Sequence, residues 1–212
     1  ALFKDHQVRG FIGFLLLTWL VFGTWLWINS DYAWLDAFRI VAVNVTSVVT
    51  TTGFALGDYT TWGSFAVLLF FYLTFVGGCS GSTSGGLKIF RFQVAYVLLK
   101  ANLMQLVHPR AVIKQQYNNH NLDEEIVRSL ITFSFFFTIT IGVLALALTL
   151  VGLDWVTALT GAATAVCNVG PGLGPIIGPA GNFASLPDSA KWLLSLGMLL
   201  SLIHISEPTR PE

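Results

Sequence analysis

Long apolar stretches of the chain contain no charged side chain. Five of them run between neighbouring charges, over residues 10–30, 40–57, 59–87, 129–153 and 155–187. A helix needs about 20 apolar residues to cross the hydrocarbon core of a bilayer. Several of these stretches reach that length, so the pattern predicts an all-α polytopic membrane protein in contact with the lipid bilayer.

The first half of the chain predicts one complete span followed by an incomplete one. Residues 8–28 are expected to form a transmembrane helix. The next apolar run, residues 41–49, is only about 15 Å long as a helix, half of a bilayer. It meets the polar turn of residues 50–53, which predicts a re-entrant segment that turns near the midplane and returns as an extended strand. Such backbone is tolerated only where it is buried in protein or lines water.

A glycine-rich segment interrupts the third apolar run. Between Gly77 and Gly86, five of the ten residues are glycine, and each glycine costs a helix about 1 kcal/mol relative to alanine. We therefore expect the helix of residues 59–87 to break here. The basic stretch that follows, residues 88–107, is predicted to be helical, and residues 118–125 to form a polar linker.

The second half of the chain repeats the order of the first. Residues 129–153 are predicted to form another spanning helix. Asp36 precedes Gly53 by 17 positions, and Asp154 precedes Gly170 by 16. Aligning the two glycines pairs the six residues before each of them and gives both halves the order helix, half-helix, polar turn, return strand and helix. Internal duplication is common in transporters, where the repeat interface forms the binding site.

This repeat divides the chain into residues 1–117, with a broken inner helix, and residues 118–200, with an inner helix that is cut short. After Leu200 the sequence turns polar and contains two prolines. We predict that residues 201–212 are a non-native tail. A native polar tail after a short helix is the alternative.

Composition and charge placement support a membrane location. Hydrophobic residues make up 54% of the chain and charged residues 10%, whereas a soluble domain carries about 25% charged residues. The formal net charge is zero, so no nucleic-acid partner is expected. Lysines and arginines concentrate before the first span and between the third and fourth apolar runs, which predicts a cytoplasmic N-terminus. No signal-peptide pattern precedes the first span, so we expect no cleaved leader.

The polar turns have the features of a cation site. A half-helix that ends at the midplane directs the negative end of its dipole, about half an elementary charge, at the centre of the membrane. The extended residues after it can direct backbone carbonyls at a dehydrated ion, and glycine supplies the conformations this requires. The first turn is Thr51-Thr52-Gly53-Phe54, and the second is Asn168-Val169-Gly170-Pro171. Threonine-rich helices packed through small polar residues are the alternative.

Three segments of the sequence, residues 48–54, 75–88 and 168–174, closely resemble TrkH-type subunits of the Trk/Ktr/HKT potassium transporters. The resemblance covers about residues 1–200. It implies repeats of outer helix, re-entrant pore helix with filter, and inner helix, arranged as a pseudo-fourfold, potassium-channel-like pore. Family members carry four such repeats, and this chain resembles the third and most of the fourth.

The resemblance also implies roles for individual residues, with K⁺ as the transported ion, no other cofactor and no transition metal. The ion-binding residues of the selectivity filter would be Thr51, Thr52, Gly53, Phe54, Asn168, Val169, Gly170 and Pro171. The glycine-rich segment would be an intramembrane gate below the filter. Its residues are Gly77, Gly78, Cys79, Ser80, Gly81, Ser82, Thr83, Ser84, Gly85 and Gly86.

The resemblance further implies a multi-pass protein of the bacterial inner membrane that takes up potassium as a homodimer. Its expected partner is a cytosolic, nucleotide-binding regulatory ring similar to TrkA. The basic segment of residues 88–114 is a candidate docking surface for this ring, or it serves only to fix the topology. The sequence does not decide whether the protein prefers potassium or sodium, whether it is a channel or a coupled transporter, or which nucleotide regulates it.

Other motifs overlap the glycine-rich segment. Gly78-Cys79-Ser80-Gly81 matches the nucleophile motif of rhomboid-type intramembrane proteases, but all four histidines fall outside the predicted spans or in the tail, and such a serine needs a histidine base. A phosphate-binding loop would need Ser or Thr in place of Ile89. Gly77, Gly81 and Gly85 have the G-x-x-x-G spacing of packed transmembrane helices, which leaves both half-length loops unexplained. We expect a transporter and no enzyme.

Overall fold

A computed structural model describes residues 5–108, 116–117 and 120–205. Over these residues the chain forms seven α-helices: α1 (His6–Asn29), α2 (Trp34–Val49), α3 (Ser64–Phe75), α4 (Ile89–Val107), α5 (Glu124–Leu150), α6 (Trp155–Cys167) and α7 (Asp188–Ile205). Two short strand pairs lie between them: β1 (Val76–Gly77) with β2 (Leu87–Lys88), and β3 (Gln116–Tyr117) with β4 (His120–Asn121). The predicted all-α class is confirmed.

Two of the described helices, α1 and α5, are long and apolar enough to cross a membrane. Only 22% and 17% of their most apolar windows is buried inside the protein, so most of their apolar side chains face outward. A helix in the core of a soluble protein would bury that surface. Exposed leucines on both helices, such as Leu20 and Leu146, form an apolar outer surface. Helix α5 begins earlier than predicted, and its first turn contains Glu124 and Glu125, which complement the helix dipole.

The prediction of residues 41–49 for the first pore helix was too short. Helix α2 begins at Trp34 and has 16 residues. Asp36 and Arg39 lie within it and form an exposed ion pair of 3.1 Å. Because i,i+3 partners lie side by side on a helix, opposite charges there support the helix and do not end it.

The helices are arranged as two repeats of outer helix, pore helix and inner helix. In the first repeat α1 packs on α2 and α2 on α3, and in the second α5 packs on α6 and α6 on α7. Helix α3 also packs against α6 and thereby joins the repeats. This is the order of helices that the sequence predicts, but the described residues after each pore helix, 52–58 and 169–174, contain no β-strand, so the predicted return strand is wrong.

Small residues place the second pore helix at the centre of the fold. Ten of the 13 residues of α6 are buried, and all ten are Gly, Ala, Thr, Val or Cys. Short side chains let neighbouring helices approach closely. Helices α3, α5 and α7 therefore pack around α6.

The second inner helix continues beyond the predicted end at Leu200. Helix α7 runs to Ile205, and the buried hydroxyl of Ser201 donates a hydrogen bond to the carbonyl of Val166 near the end of α6. Residues 206–212 of the predicted tail lie outside the described residues, so the origin of the tail stays a prediction. Residues 109–115 of the candidate docking segment also lie outside them.

Candidate functional site

The first pore helix ends in a hydrogen-bonded turn of a defined kind. The N–H of Thr51 donates to the carbonyl of Val48 at 3.1 Å, and the N–H of Thr52 donates to the carbonyl of Ser47 at 2.8 Å. This pair of bonds is the Schellman motif, which satisfies carbonyls that the end of a helix leaves free.

The second pore helix ends in the same motif. The N–H of Asn168 donates to the carbonyl of Ala165 at 3.2 Å, and the N–H of Val169 donates to the carbonyl of Thr164 at 3.1 Å. Superposing the two motifs by their hydrogen bonds aligns the two repeats as the sequence predicts, with Gly53 and Gly170 in equivalent positions.

Each motif contains a residue with left-handed backbone. Thr51 has φ 55° and Asn168 has φ 53°, and among the described residues they alone have a positive φ without being glycine. This conformation costs an L-residue about 1–2 kcal/mol, and a β-branched side chain tolerates it less well than asparagine does. A left-handed residue is usual at this position of a Schellman motif, where glycine or asparagine is favoured, so the β-branched Thr51 is the unusual residue of the two.

The structure brings the two predicted filter turns together. The space beside Gly53 that a Cβ atom would occupy is filled by the carbonyl oxygen of Val169. A Cβ atom on Gly170 would lie 3.7 Å from the Cα of Gly53. Both glycines have a positive φ, 82° at Gly53 and 114° at Gly170. The two turns therefore meet through their backbones.

The remaining predicted filter residues differ in exposure. Thr52 is exposed, and its hydroxyl lies 2.8 Å from that of Thr50. Phe54 is 78% exposed. Val169 is buried, and Pro171 is half-buried beside Gly53. The open side of the paired turns is therefore formed mainly by the first repeat.

Carboxylates at the far ends of the pore helices reinforce their dipoles. Asp36 lies in the first turn of α2. Asp154 caps α6 and accepts a hydrogen bond from the N–H of Thr157 at 3.1 Å. Hydrogen bonding by Thr157 lowers the pKa of the Asp154 carboxyl, so this group is ionised at neutral pH. Both helices thus carry a carboxylate at their positive ends and direct their negative ends at the two turns.

The glycine-rich segment is a loop between two short parallel strands. Helix α3 ends at Phe75, and α4 begins at Ile89. Between them, Val76 pairs with Leu87 and Gly77 with Lys88. The predicted break of the helix is confirmed. Since the glycines of the G-x-x-x-G pattern lie outside any helix, helix packing through this pattern is wrong for this segment.

Serine hydroxyls hold the loop in shape. Ser84 Oγ accepts a hydrogen bond from the N–H of Gly78 at 2.8 Å and lies 2.7 Å from Ser82 Oγ. Ser82 Oγ lies 2.7 Å from the carbonyl oxygen of Cys79. These side chains satisfy backbone groups that a helix would have paired internally.

Two long side chains from neighbouring elements also hold the loop. The N–H and the hydroxyl of Ser80 both donate to Gln7 Oε1 of α1, at 3.2 and 3.0 Å. Lys88 Nζ donates to the carbonyls of Ser80 and Ser82 at 2.9 and 3.2 Å. The partner of the Ser80 hydroxyl is an amide oxygen, which cannot act as the base that a protease nucleophile needs.

Gly85 places the loop against both filter turns. Its N–H donates to Thr51 Oγ1 at 3.2 Å. A Cβ atom at Gly85 would overlap the carbonyl of Cys167, the last residue of α6. The predicted gate thus lies at the C-terminal ends of both pore helices. Only glycine at position 85 lets the loop approach them this closely.

Three residues outside the predicted site also support it. Asn44 and Thr160 lie in the pore helices and hydrogen-bond the backbone that follows each filter turn. Gln7 holds Ser80 from 73 positions away, which no local pattern indicates. For Asn44, the only signal in the sequence is that a polar residue interrupts the apolar run of α2.

Comparison with known proteins places these features in a family. The family model described as "TrkH: Cation transport protein" matches residues 2–201. The Trk system potassium uptake protein TrkI of Halomonas elongata is 56% identical over 205 residues, which cover 97% of this chain and 42% of that protein. The Trk system potassium uptake protein TrkH of Salmonella typhimurium is 32% identical over 95% of this chain and 41% of its own length.

A solved structure agrees with the fold. The crystal structure of the potassium transporter TrkH from Vibrio parahaemolyticus matches with a TM-score of 0.89 and 32% sequence identity. The match covers 97% of this chain and 43% of that chain. The chain described here therefore spans about two fifths of the length of the relatives that it matches.

Proposed function

Because the chain belongs to the TrkH family of cation transport proteins, we propose that it supplies two repeats of a potassium-uptake transporter and is not an enzyme. The observation that carries the proposal is the contact between Gly53 and Val169, where two glycine-containing turns meet at the ends of two pore helices. The dipoles of both helices favour a cation at that point.

In this proposal the two turns are two quarters of a selectivity filter for K⁺. Backbone carbonyls of residues 51–54 and 168–171 replace the hydration shell of the ion. The positive φ at Thr51 and Gly53, matched at Asn168 and Gly170, lets the chain leave each helix and run past the ion as an extended segment. The names of the relatives, potassium uptake proteins, support K⁺ as the ion.

The loop from Gly77 to Gly86 acts as a gate on the ion path. Its support is the position of Gly85 against Thr51 and Cys167, at the ends of both pore helices. Glycine-rich backbone reaches alternative conformations at low cost. Such a segment can therefore exchange between a closed and an open arrangement.

The contact between Gln7 and Ser80 indicates on which side of the filter the gate lies. Gln7 is in the first turn of α1, and the charge pattern predicts that the N-terminus is cytoplasmic. The gate then lies on the cytoplasmic side of the filter, while Asp36 and Asp154 lie on the opposite side. We propose that the protein has this orientation as a multi-pass protein of the bacterial inner membrane.

The proposal includes two partners on the strength of the family resemblance. One is a second copy of the protein in a homodimer, and the other is a cytosolic nucleotide-binding ring similar to TrkA. The name of the Halomonas relative as part of a Trk system supports a multi-component assembly.

The test uses a chimera in which residues 1–200 replace the matching segment of the Halomonas elongata TrkI protein. The chimera is co-expressed with a TrkA-like ring in a bacterial host that lacks its own potassium uptake. We expect growth at low K⁺ and uptake of Rb⁺ in preference to Na⁺, close to that of the intact relative. The 212-residue chain alone should not restore growth, because it supplies only two filter turns.

A chimera that reaches the membrane at the level of the intact relative and takes up neither K⁺ nor Rb⁺ would refute the proposed function. Growth supported by the chain alone would instead show that further repeats are not needed for uptake.

A further inference from the structure

We propose that Asn44 and Thr160 are positioning residues that clamp the segment leaving each filter turn and thereby maintain selectivity, an inference that rests on the proposed function. Asn44 lies in α2 and is fully buried. Its Nδ2 donates to the carbonyl of Leu56 at 3.0 Å, and its Oδ1 accepts from the N–H of Leu56 at 2.7 Å. One side chain thus satisfies both backbone groups of one residue.

The second repeat holds the equivalent backbone position. Thr160 Oγ1 lies 3.2 Å from the carbonyl oxygen of Leu173 and accepts from the N–H of the same residue at 3.2 Å. Leu56 follows Gly53 by three positions, and Leu173 follows Gly170 by three. Both segments are therefore fixed at the same distance beyond the filter glycine.

The two clamps do not descend from one repeated residue. In the alignment of the repeats, Asn44 corresponds to Gly161 and not to Thr160. A Cβ atom at Gly161 would lie 3.2 Å from Ile177 Cδ1, so a larger side chain there would press against packed apolar groups. The neighbouring threonine supplies the hydrogen bonds. Two different side chains that hold one equivalent backbone position indicate that this position must be held.

A clamp is needed because the backbone after each filter turn is irregular and forms no β-strand. Neither Leu56 nor Leu173 belongs to a strand pair among the described residues, and backbone groups inside a membrane protein must find partners within the protein. The clamp also limits how far the filter backbone can move. A filter that cannot contract around the smaller Na⁺ keeps its preference for a larger ion.

The clamps differ in strength. The amide of Asn44 has a separate donor and acceptor. The hydroxyl of Thr160 has one proton, and its Oγ1 lies 2.8 Å from the carbonyl oxygen of Val156 as well as near that of Leu173. This proton is therefore shared between two acceptors. Loss of the Asn44 clamp should have the larger effect.

The experiment compares Asn44→Leu and Thr160→Val in the chimera. Each variant removes the hydrogen bonds with little change in side-chain size. We expect Asn44→Leu, which removes two hydrogen bonds, to lower the ratio of Rb⁺ to Na⁺ uptake about five- to a hundredfold, and Thr160→Val to lower it less. Thr160→Ser keeps the hydroxyl and should keep the parent ratio.

The matched control is Thr74→Val in α3. Thr74 is also buried, but its hydroxyl bonds only to the carbonyl of Phe70 in its own helix, at 2.9 Å. The uptake ratio should not change in this variant. The ratio is measured per protein in the membrane, so that lower abundance by itself does not alter it. If Asn44→Leu does not reach the membrane, Thr160→Val and Thr160→Ser still decide the question.

Parent selectivity in Asn44→Leu and Thr160→Val would overturn the clamp while leaving the proposed function intact. An equal loss in Thr74→Val would overturn it as well, because any buried hydroxyl would then have the same effect. A parent chimera without Rb⁺ uptake would refute the proposed function, and the clamp with it.

Discussion

The carbonyl oxygen of Val169 lies in the space beside Gly53 that the Cβ atom of any other residue would occupy. Gly53 is therefore required for two reasons, its positive φ of 82° and this contact with the other repeat. Gly170 has only the first reason, because a Cβ atom there would make an ordinary contact at 3.7 Å with Gly53. The two filter glycines occupy equivalent positions in the sequence, but Gly170 has space for an added Cβ atom and Gly53 does not.

The first prediction separates the contact from the backbone strain. Gly53→Ala should abolish most Rb⁺ uptake by the chimera, because the methyl group displaces the Val169 carbonyl. Gly57→Ala is the matched control, since Gly57 has a similar φ of 79° and nothing within 4 Å of the added Cβ. Both variants carry about 1–2 kcal/mol of strain, and only the first carries the clash.

Rb⁺ and Na⁺ uptake, measured together with membrane abundance, distinguishes these variants. Equal damage in Gly53→Ala and Gly57→Ala would mean that strain alone explains the need for glycine. The contact between the repeats would then have no role of its own in uptake.

The parts of the site that the sequence predicted are those set by local rules. A turn with left-handed backbone favours glycine, and a run of glycines breaks a helix. Gly53, Gly170 and the break from Gly77 to Gly86 follow from these rules. The repeat supplies the same pattern twice, so the two turns align on sequence alone.

The contacts between distant segments could not be predicted in this way. Gln7 and Ser80 are separated by 73 positions and meet because α1 packs beside α4. The start of α2 at Trp34 does not follow from the apolar run, because Asp36 and Arg39 interrupt the apolar pattern although they pair on one helix face. The clamps by Asn44 and Thr160 depend on where the segment after each turn lies, which neither residue indicates by itself.

The second prediction concerns the bond between the gate and the filter. Thr51→Val removes the acceptor of the Gly85 N–H, which then remains buried without a partner at a cost of about 1–3 kcal/mol. The closed position of the loop is destabilised, so Rb⁺ flux should rise severalfold. Thr51→Ser keeps the acceptor oxygen and should leave the flux near that of the parent chimera. Initial rates of Rb⁺ uptake compare the variants, and a flux in Thr51→Val at or below that of the parent would contradict this role.

The third prediction concerns Lys88. This residue precedes the first residue of α4, where the helix dipole disfavours a cation. Its position is explained by the Ser80 and Ser82 carbonyls that it binds. Lys88→Met should free the loop on one side and raise Rb⁺ flux severalfold. Lys100→Met, at an exposed site on the same helix, controls for the loss of one positive charge. A rise of equal size in both variants would assign the effect to charge and not to the loop.

The last prediction removes the gate itself. Deleting residues 78–85 should raise Rb⁺ flux and leave the preference for Rb⁺ over Na⁺ largely intact, because the filter turns lie in other segments. The deletion also removes the parallel pairing of β1 with β2, because a direct link from Gly77 to Gly86 cannot connect two parallel strands, so folding and membrane insertion are checked first. Gly81→Ala is the control within the loop, where an added Cβ meets nothing within 4 Å, and its flux should not change. If the deletion leaves the flux unchanged in a protein shown to be folded and inserted, the loop is not the barrier. If the flux falls, the loop mainly supports the packing of α1 and α4.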